Sequence, residues 1–567
     1  MPYRSPVADF RFILDHVVPL APVAGTSRFA EATPETVEAI LTEAARMCDE
    51  VLAPLNRAGD LTPARLENGV VRSSPGFAEG FGAIAEGGWV ALAADPEYGG
   101  MGLPQTLNIV LNDMMSAACM ALQLNPLLTQ GQIEALEHHG SDEIKATYLP
   151  RLISGEWSGT MNLTEPQAGS DVGALRSKAE PKGDGSYAIT GQKIFITWGD
   201  CDFVGNVCHL VLARLPDGGP GTRGISLFMV PKFIPDADGN PGVANSLKVV
   251  SIEHKMGLHG SPTCVMSFEG ATGWLVGEPH KGMAAMFTMM NNARLAVGVQ
   301  GVGVAEAAYQ MAAEYARDRA QMGAIIDHAD VRRMLATMKA EVFAARSIAL
   351  ACAVSLDMGR ATGDADWQAR AALLTPIAKA YGSDTGMAVS ETCVQVHGGM
   401  GFVEETGAGQ FWRDARITPI YEGTNGVQAA DLVGRKMPVR AGASFMEFIA
   451  EMKADLPRLQ AAGEALAPVA SGLERALADL ERATGWMLRT GAGGDAAAVL
   501  AGSVAYQRLW AITVGAWRLA LAALAEDEGQ DQRVALARYF VTRRLPETGA
   551  LLAEATAGAV DLYAVAL

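Results

Sequence analysis

The chain has 567 residues, of which 49% are hydrophobic and 19% charged, and its 45 Lys+Arg against 63 Asp+Glu leave a net charge of −18. At the usual ~150 residues per domain this is material for three or four domains, and it excludes a disordered chain, which would be poor in apolar residues. An acidic total argues against wrapping nucleic acid, while leaving room for a local basic pocket that takes a phosphorylated small molecule.

Residues 1–34 form an N-terminal lead. It lacks a basic stretch followed by an apolar core and a small-residue cleavage site, so no secretory signal is expected. Residues 35–163 carry a helical pattern. Thr33 before Pro34 reads as an N-cap and first helical position, and Val37, Ile40, Leu41 and Ala44 then recur at three and four. Asn125-Pro126 and Gly140-Ser141 punctuate the stretch.

Over residues 164–282 the period shortens and turns crowd in, as at Asp184-Gly185, Asp217-Gly218-Gly219 and Asp238-Gly239-Asn240. The β-rich runs between them, including 193–197, 210–212 and 225–230, predict a small β-barrel or sandwich. Helical periodicity returns over residues 283–439, with Leu295, Val299, Val302, Ala305 and Tyr309 on one face. Residues 440–567 are alanine-rich and helical again. The fold class is therefore mainly α with a central β domain, and not an alternating βαβ sheet.

The seven cysteines are scattered with no CxxC pair, which supports neither a disulfide framework nor a zinc site and fits a reducing cytoplasm. The apolar stretches 347–356 and 511–525 are shorter than the ~20 residues of a membrane span, and read as buried helices. No metal site is expected, since His397 has no His or Cys partner at ligand spacing.

Four segments carry chemistry. In Leu163-Thr164-Glu165-Pro166-Gln167-Ala168-Gly169-Ser170-Asp171 the proline and glycine shape a turn bearing hydroxyls at Thr164 and Ser170. Such a turn can suit a flat ring or a pyrophosphate, although alone it reads as an ordinary capped loop. Phe195 and Thr197 lie two apart at a strand end, on one face, where a ring and a hydroxyl meet a planar group or simply the core. Val394-Gln395-Val396-His397-Gly398-Gly399-Met400-Gly401 stops a helix in a glycine turn that is neither GxGxxG after a strand nor a P-loop. Glu422, in Tyr421-Glu422-Gly423-Thr424, is a lone carboxylate beside apolar neighbours, the setting that raises a carboxyl pKa toward that of a base useful at neutral pH.

Their combination, in this order, resembles the acyl-CoA dehydrogenase family over about residues 35–436. The motifs are T-E-P-x-A-G-S-D (164–171), Q-K-x-x-I-T (192–197), V-Q-x-x-G-G-x-G (394–401) and Y-E-G-T (421–424). The lead and the tail after Val439 resemble a subgroup with an added C-terminal helical domain. The resemblance implies an α domain, a β domain and a helical bundle binding FAD, with Glu422 removing the α-proton of an acyl-CoA while the β-hydride passes to the flavin.

It also implies that Leu163, Thr164, Phe195 and Thr197 line the flavin and Ser170 its pyrophosphate region. Arg319 and Met322 would meet the adenine half across a dimer interface, Gln395, Gly398 and Gly399 would come from the partner chain, and Thr424 would reach the ADP portion. Met322 stands where the family commonly has an aromatic, and Gly426 where it often has glutamine. Ser170, Asn291, Arg294, Tyr421 and Gly423 would bind the substrate. Arg294 follows Ala293, whereas a minority of the family places its base there, so Glu422 has no rival.

The expected function is thus FAD-dependent formation of trans-2-enoyl-CoA in fatty-acid β-oxidation, by a cytoplasmic homodimer passing electrons to electron-transfer flavoprotein. The substrate is 3-(methylthio)propanoyl-CoA or a saturated fatty acyl-CoA. The alternatives are an acyl-CoA oxidase reducing O2, a flavin monooxygenase of the same fold, which would usually lack the glutamate at 422, and a noncatalytic acyl-CoA-binding protein.

Overall fold

The computed structural model describes residues 3–567. Two short helices, α1 (Val7–Phe12) and α2 (Ala21–Ala24), precede α3 (Pro34–Met47), whose N-cap Thr33 accepts the Thr36 N–H as the sequence predicts. The lead is no loose arm. Phe10, Ile13, Leu14 and Val17 are buried, and the carbonyl of Val17 accepts a 2.9 Å bond from Arg518 near the other end of the chain.

Helices α4 (Ala53–Leu61), α5 (Phe77–Glu86), α6 (Gln105–His139) and α7 (Asp142–Ile153) complete the first domain, with a hairpin of β1 (Arg65–Glu67) and β2 (Val70–Arg72) inserted between α4 and α5. The chain reverses within α6 at Cys119 (φ −160°, ψ 84°), not at Asn125-Pro126 as the punctuation predicts, and Pro126 lies inside its second arm. Bonds from Asn108 and Asn112 to Gln130 close the two arms on each other.

The β domain begins at β3 (Trp157–Asn162), earlier than residue 164. Five of the six residues of β3 are buried, so it lacks the alternation that marks a half-exposed strand. It pairs in parallel with β6 (Asn206–Arg214), while β4 (Lys178–Pro181) joins β5 (Tyr187–Thr197), which joins β11 (Thr263–Val276). β7 (Ile225–Pro231) bonds to both β6 and β11, and a single pairing of β4 with β6 closes the ring, the expected small barrel. β8 (Phe233–Pro235) and β9 (Pro241–Ala244) form a side hairpin, and β10 (Leu247–Ile252) adds to β11.

Three long helices, α8 (Gly282–Asp318), α9 (Ala329–Thr362) and α10 (Ala365–His397), then form a bundle with α6. α8 and α10 meet along a seam of glycines. A Cβ on Gly301 would lie 2.2 Å from the carbonyl oxygen of Gly382, and one on Gly382 2.2 Å from that of Gly298, so the two backbones approach as closely as helices can. The short helices α11 (Ala408–Ala415) and α12 (Asn425–Asp431) carry the chain past the bundle.

The last domain contains α13 (Ala443–Ala454), α14 (Leu456–Ala461), α15 (Ala467–Ala492), α16 (Ala496–Ala501) and α17 (Ser503–Leu524). α18 (Gln530–Arg543), α19 (Glu547–Ala555) and α20 (Val560–Ala564) end the chain. α17 packs on α9 and α10, and Gln507 of α17 donates a 2.9 Å bond to the carbonyl of Pro376. α6 and α9 are long and apolar enough to cross a membrane, but their most apolar windows are 100% and 83% buried within the protein, as core helices are. All seven cysteines are free and buried.

Candidate active site

Glu422 lies in the tight connection between α11 and α12. Its own φ of +55° and the +85° of Gly423 turn the chain sharply, a conformation that a non-glycine residue holds only when its surroundings fix it. Those surroundings are specific. The Thr424 hydroxyl caps α12 by accepting the Val427 N–H, and Gln428 Nε2 donates 3.1 Å to the carbonyl of Glu422.

The carboxylate is half-buried, and burial pushes its pKa up to about 7, against the opposing pull of the cations Arg294 and Lys379. Arg294, buried in α8, faces Asp431 at 3.4 Å and leaves its Nε without a partner among the described residues. Lys379 in α10 is wholly buried, has no carboxylate within ion-pair distance among the described residues, and donates 2.9 Å to Asn425 Oδ1. Burial lowers its pKa to about 8, with Glu422 and Asp384 holding it up. A carboxylate between two cations in a poorly solvated turn can take a proton near neutral pH without moving far.

Arg294 also lines a cleft of about 480 Å³ between α8, α9 and α10, and Asn291, Thr288 and Thr375 share its wall. Arg360 and Lys436 add positive charge there, while Glu134, Asp357 and Asp431 add negative charge. Asn291 is exposed and Tyr421 half-buried.

The loop 163–171 and the end of β5 are bound into one unit. Lys193 Nζ, wholly buried, donates 3.0 Å to the Leu163 carbonyl and 2.8 Å to Glu165 Oε1, and Ile194 N–H donates to the Thr164 carbonyl. Burial raises the Glu165 pKa, but Lys193, Ser177 and the Arg176 N–H outweigh it and hold the group at about 2. Phe195 and Thr197 flank the buried Ile196, but the alternation is interrupted just before them, between Lys193 and Ile196. β11 skips a pairing between Cys264 and Met266, opposite residues 194–195, so the strand bulges there. Phe195 adopts φ +59° and stands 60% exposed between buried Lys193 and Ile196, with Thr197 half-buried beyond it. Ser170 is exposed, and no atom lies within 4 Å of where a Gly169 Cβ would be.

A third group gathers at the far ends of α8 and α10, where the Tyr315 and His397 rings stack at 4.2 Å. Arg319, Gln395, Gly398 and Gly399 are exposed there, and Met322 is 97% exposed at φ +54°. A Cβ on Gly399 would meet nothing, so the protomer's own packing does not demand that glycine, whereas Gly398 holds φ +60° and ψ −137°, a backbone that only glycine adopts readily. No cluster of three metal-ligating side chains occurs among the described residues, and the His397 Nδ1 is bonded to the Cys393 carbonyl.

Sequence reasoning placed Glu422 and Arg294 but missed Lys379, Lys193 and Asp431. A lysine inside the apolar run 373–380 of α10 was the available signal for the first.

Residues 34–156, 160–271 and 280–437 match the family models described as the acyl-CoA dehydrogenase N-terminal, middle and C-terminal domains. Residues 447–566 match "Acetyl-CoA dehydrogenase C-terminal like". The chain is 44% identical over 540 residues to 3-methylmercaptopropionyl-CoA dehydrogenase of Ruegeria pomeroyi, covering 93% of this chain and 92% of that one. It is 36% identical over 467 residues to the broad-specificity linear acyl-CoA dehydrogenase FadE5 of Mycobacterium tuberculosis, covering 77% and 75%. In fold it resembles Caenorhabditis elegans ACDH-11 in complex with C11-CoA (TM-score 0.82, 20% identity, covering 96% and 92%). It also resembles an acyl-CoA dehydrogenase complexed with FAD from Bacillus anthracis (TM-score 0.76, 21% identity, covering 100% and 93%).

Proposed function

Because the chain belongs to the acyl-CoA dehydrogenase family, whose cofactor is FAD, we propose that it oxidises an acyl-CoA to the trans-2-enoyl-CoA with Glu422 as the base. The observation that carries this is the half-buried Glu422 carboxyl, poised at about 7 between Arg294 and Lys379. The ionised carboxylate takes the proton from the substrate Cα. The Glu422 backbone N–H donates to no group among the described residues, which leaves it available to the thioester oxygen as charge develops there. Asn291 and Arg294 hold the CoA side in the cleft, Ser170 and Gly423 contact the substrate, and Tyr421 packs beside the thioester.

The residues present fit FAD. Phe195 is displayed by its bulge for a flat ring to pack on, Leu163, Thr164, Thr197 and Ser170 surround it with backbone and hydroxyl donors, and the uncrowded glycines at 398 and 399 admit close backbone approach. FAD, when bound, supplies the acceptor for the two electrons and the Cβ hydrogen. Lys193 and Glu165 keep the two loops of that cradle in register.

Arg319, Met322, Gln395, Gly398 and Gly399 serve the FAD of a second copy, with Thr424 at the ADP portion. The 97% exposed Met322 and 91% exposed Phe402 fit a surface that another copy covers. We therefore read the protein as a homodimer, and light scattering of the FAD-loaded protein is expected to give two copies; a monomer that retains FAD would overturn the assignment.

The similarity to the Ruegeria enzyme favours 3-(methylthio)propanoyl-CoA or a saturated fatty acyl-CoA as substrate; the family reading adds electron-transfer flavoprotein as acceptor and the cytoplasm as location. The pH dependence tests the base directly. Only the ionised carboxylate accepts a proton, so log kcat/KM is expected to rise with unit slope up to about pH 7 and then level off. Dye reduction coupled to the flavoprotein should follow this profile with little peroxide formed. A profile flat from pH 5 to 9 with chemistry rate-limiting would remove Glu422 from the role, and stoichiometric peroxide would make the enzyme an oxidase.

A further inference from the structure

Lys379 lies inside the apolar run 373–380 of α10, wholly buried, yet its ammonium meets no carboxylate within ion-pair distance among the described residues. A buried cation ordinarily pairs or gives up its proton, because desolvation penalises the charge. Here an amide meets it: Nζ donates 2.9 Å to Asn425 Oδ1. The rest of Asn425 is fixed in turn. Its Nδ2 donates 2.7 Å to Asp384 Oδ1 and 3.0 Å to the Oγ of the buried Ser383, and its backbone N–H donates 3.0 Å to the Pro419 carbonyl. That last bond closes the loop 419–425, in which Glu422 and Gly423 hold their left-handed turn. One side chain thus ties the turn that bears the base to α10, and occupies the lysine that faces the base.

The charges around Glu422 explain the need for this. Arg294 reaches it from α8 and Lys379 from α10, and the Tyr421 hydroxyl lies in its own turn. Behind Arg294 stand Asp431 and Arg435, and behind Lys379 stands Asp384, which Arg508 of α17 faces from the last domain. Arg294 has Asp431 at 3.4 Å, whereas Lys379 has no such partner among the described residues. A lysine on a flexible stem that closed on Glu422 would form a buried ion pair, and a paired carboxylate is a poor base.

We propose that Asn425 is a positioning residue that holds the Lys379 ammonium off the Glu422 carboxylate. The lysine then favours the ionised base from a distance and leaves its oxygens free for the substrate proton. Neither Asn425 nor Lys379 touches a reacting atom; both act through Glu422. This inference rests on Glu422 being the base, and deepens that reading by naming what keeps the carboxylate both ionised and unpaired.

The test follows anaerobic flavin bleaching of the FAD-loaded enzyme from pH 5 to 9.5, with whichever of butanoyl- and octanoyl-CoA bleaches the wild type faster. In Lys379→Met the inflection should move about one pH unit above that of the wild type, the scale on which a nearby opposite charge acts. Bleaching at pH 7 then falls about fivefold, the ratio of the ionised fractions, and returns to within about twofold of wild type at pH 9.5. Asn425→Leu keeps the volume but removes the acceptor, so Lys379 closes on Glu422. Its inflection should move below that of the wild type, and its plateau should fall about tenfold. The double variant Lys379→Met/Asn425→Leu has no cation to swing, so it should regain the plateau and share the inflection of Lys379→Met. A merely structural role for Asn425 would slow the single and double variants alike without moving the inflection, and that result overturns the proposal. So does a Lys379→Met inflection equal to that of the wild type. If a variant does not load FAD, a crystal structure of the FAD-loaded wild type at pH 8 decides instead. Lys379 Nζ on Asn425 Oδ1 and away from the Glu422 carboxylate supports the proposal, and an ion pair between Nζ and that carboxylate overturns it. Failure of the base shows elsewhere: a Glu422→Gln variant that bleaches at the wild-type rate strikes that reading, whatever the lysine does.

Discussion

Glu422→Gln is expected to lower the rate of substrate-dependent flavin bleaching by roughly 10²–10⁴-fold under anaerobic conditions, the range that a positioned base contributes. The amide keeps the shape of the carboxyl but cannot take the α-proton. FAD content and acyl-CoA affinity should stay near wild type, because in the reading above neither depends on that charge. The stability effect has a definite sign. The folded protein holds the Glu422 proton up to about pH 7, whereas the unfolded chain releases it near the ordinary 4.5. Across that window the folded state binds more protons, so Glu422 makes folding less favourable as pH rises. At pH 8 the glutamine variant should therefore melt no lower than wild type. Wild-type bleaching in this variant would transfer the base role elsewhere, with no obvious candidate at Ala293.

Arg346→Met is expected to be the most destabilising single change outside the site. Arg346 of α9 is 2% exposed, donates 2.8 and 3.1 Å bonds to both oxygens of Asp113 in α6, and reaches Glu306 of α8 at 3.0 Å. Its guanidinium also lies 4.8 Å from the ring centre of Phe10 in the N-terminal lead. Removing it leaves two buried carboxylates facing each other without a cation, a loss of about 3–5 kcal/mol in comparable buried pairs. Asp113 should then protonate readily, since burial already raises its pKa. Chemical denaturation at pH 7 should show the full loss and at pH 5 a smaller one. A change below about 1 kcal/mol at both values would mean that the three helices are held by packing alone.

Much of the site was legible because its residues stand in short runs: the turn at 163–171, the strand end at 195–197, the glycine stop at 398–401 and the tetrapeptide around Glu422. What escaped lies where partners are remote in sequence. Lys193 belongs to a quoted motif, yet its function as a strut to Leu163 and Glu165 depends on a strand returning about thirty residues later. Lys379 meets Asn425 and Tyr421 meets Gln300 across 46 and 121 positions, and no periodicity announces them. The bulge at Phe195 was hidden because its cause is a skipped pairing in β11 rather than a glycine or proline in β5. The start of the β domain was missed for the opposite reason: β3 is buried on both faces and shows no alternation. The lead was undervalued although Phe10, Ile13, Leu14 and Val17 repeat at three and four, the same signal that identified α3.

The lead and the last domain together bear on how such a chain could change over generations. Arg518 grips the carbonyl of Val17, Gln507 grips that of Pro376 in α10, and Gly515 sets its backbone against Ala344 of α9, so the lead and the last domain meet over α9 and α10. Deletion of either region would uncover buried apolar side chains and strand polar atoms such as the partners of the Val17 and Pro376 carbonyls at the same time. The appended region is thus an acquisition that descent cannot readily undo: loss would first require charged substitutions along α9, each unfavourable while the cover remains in place.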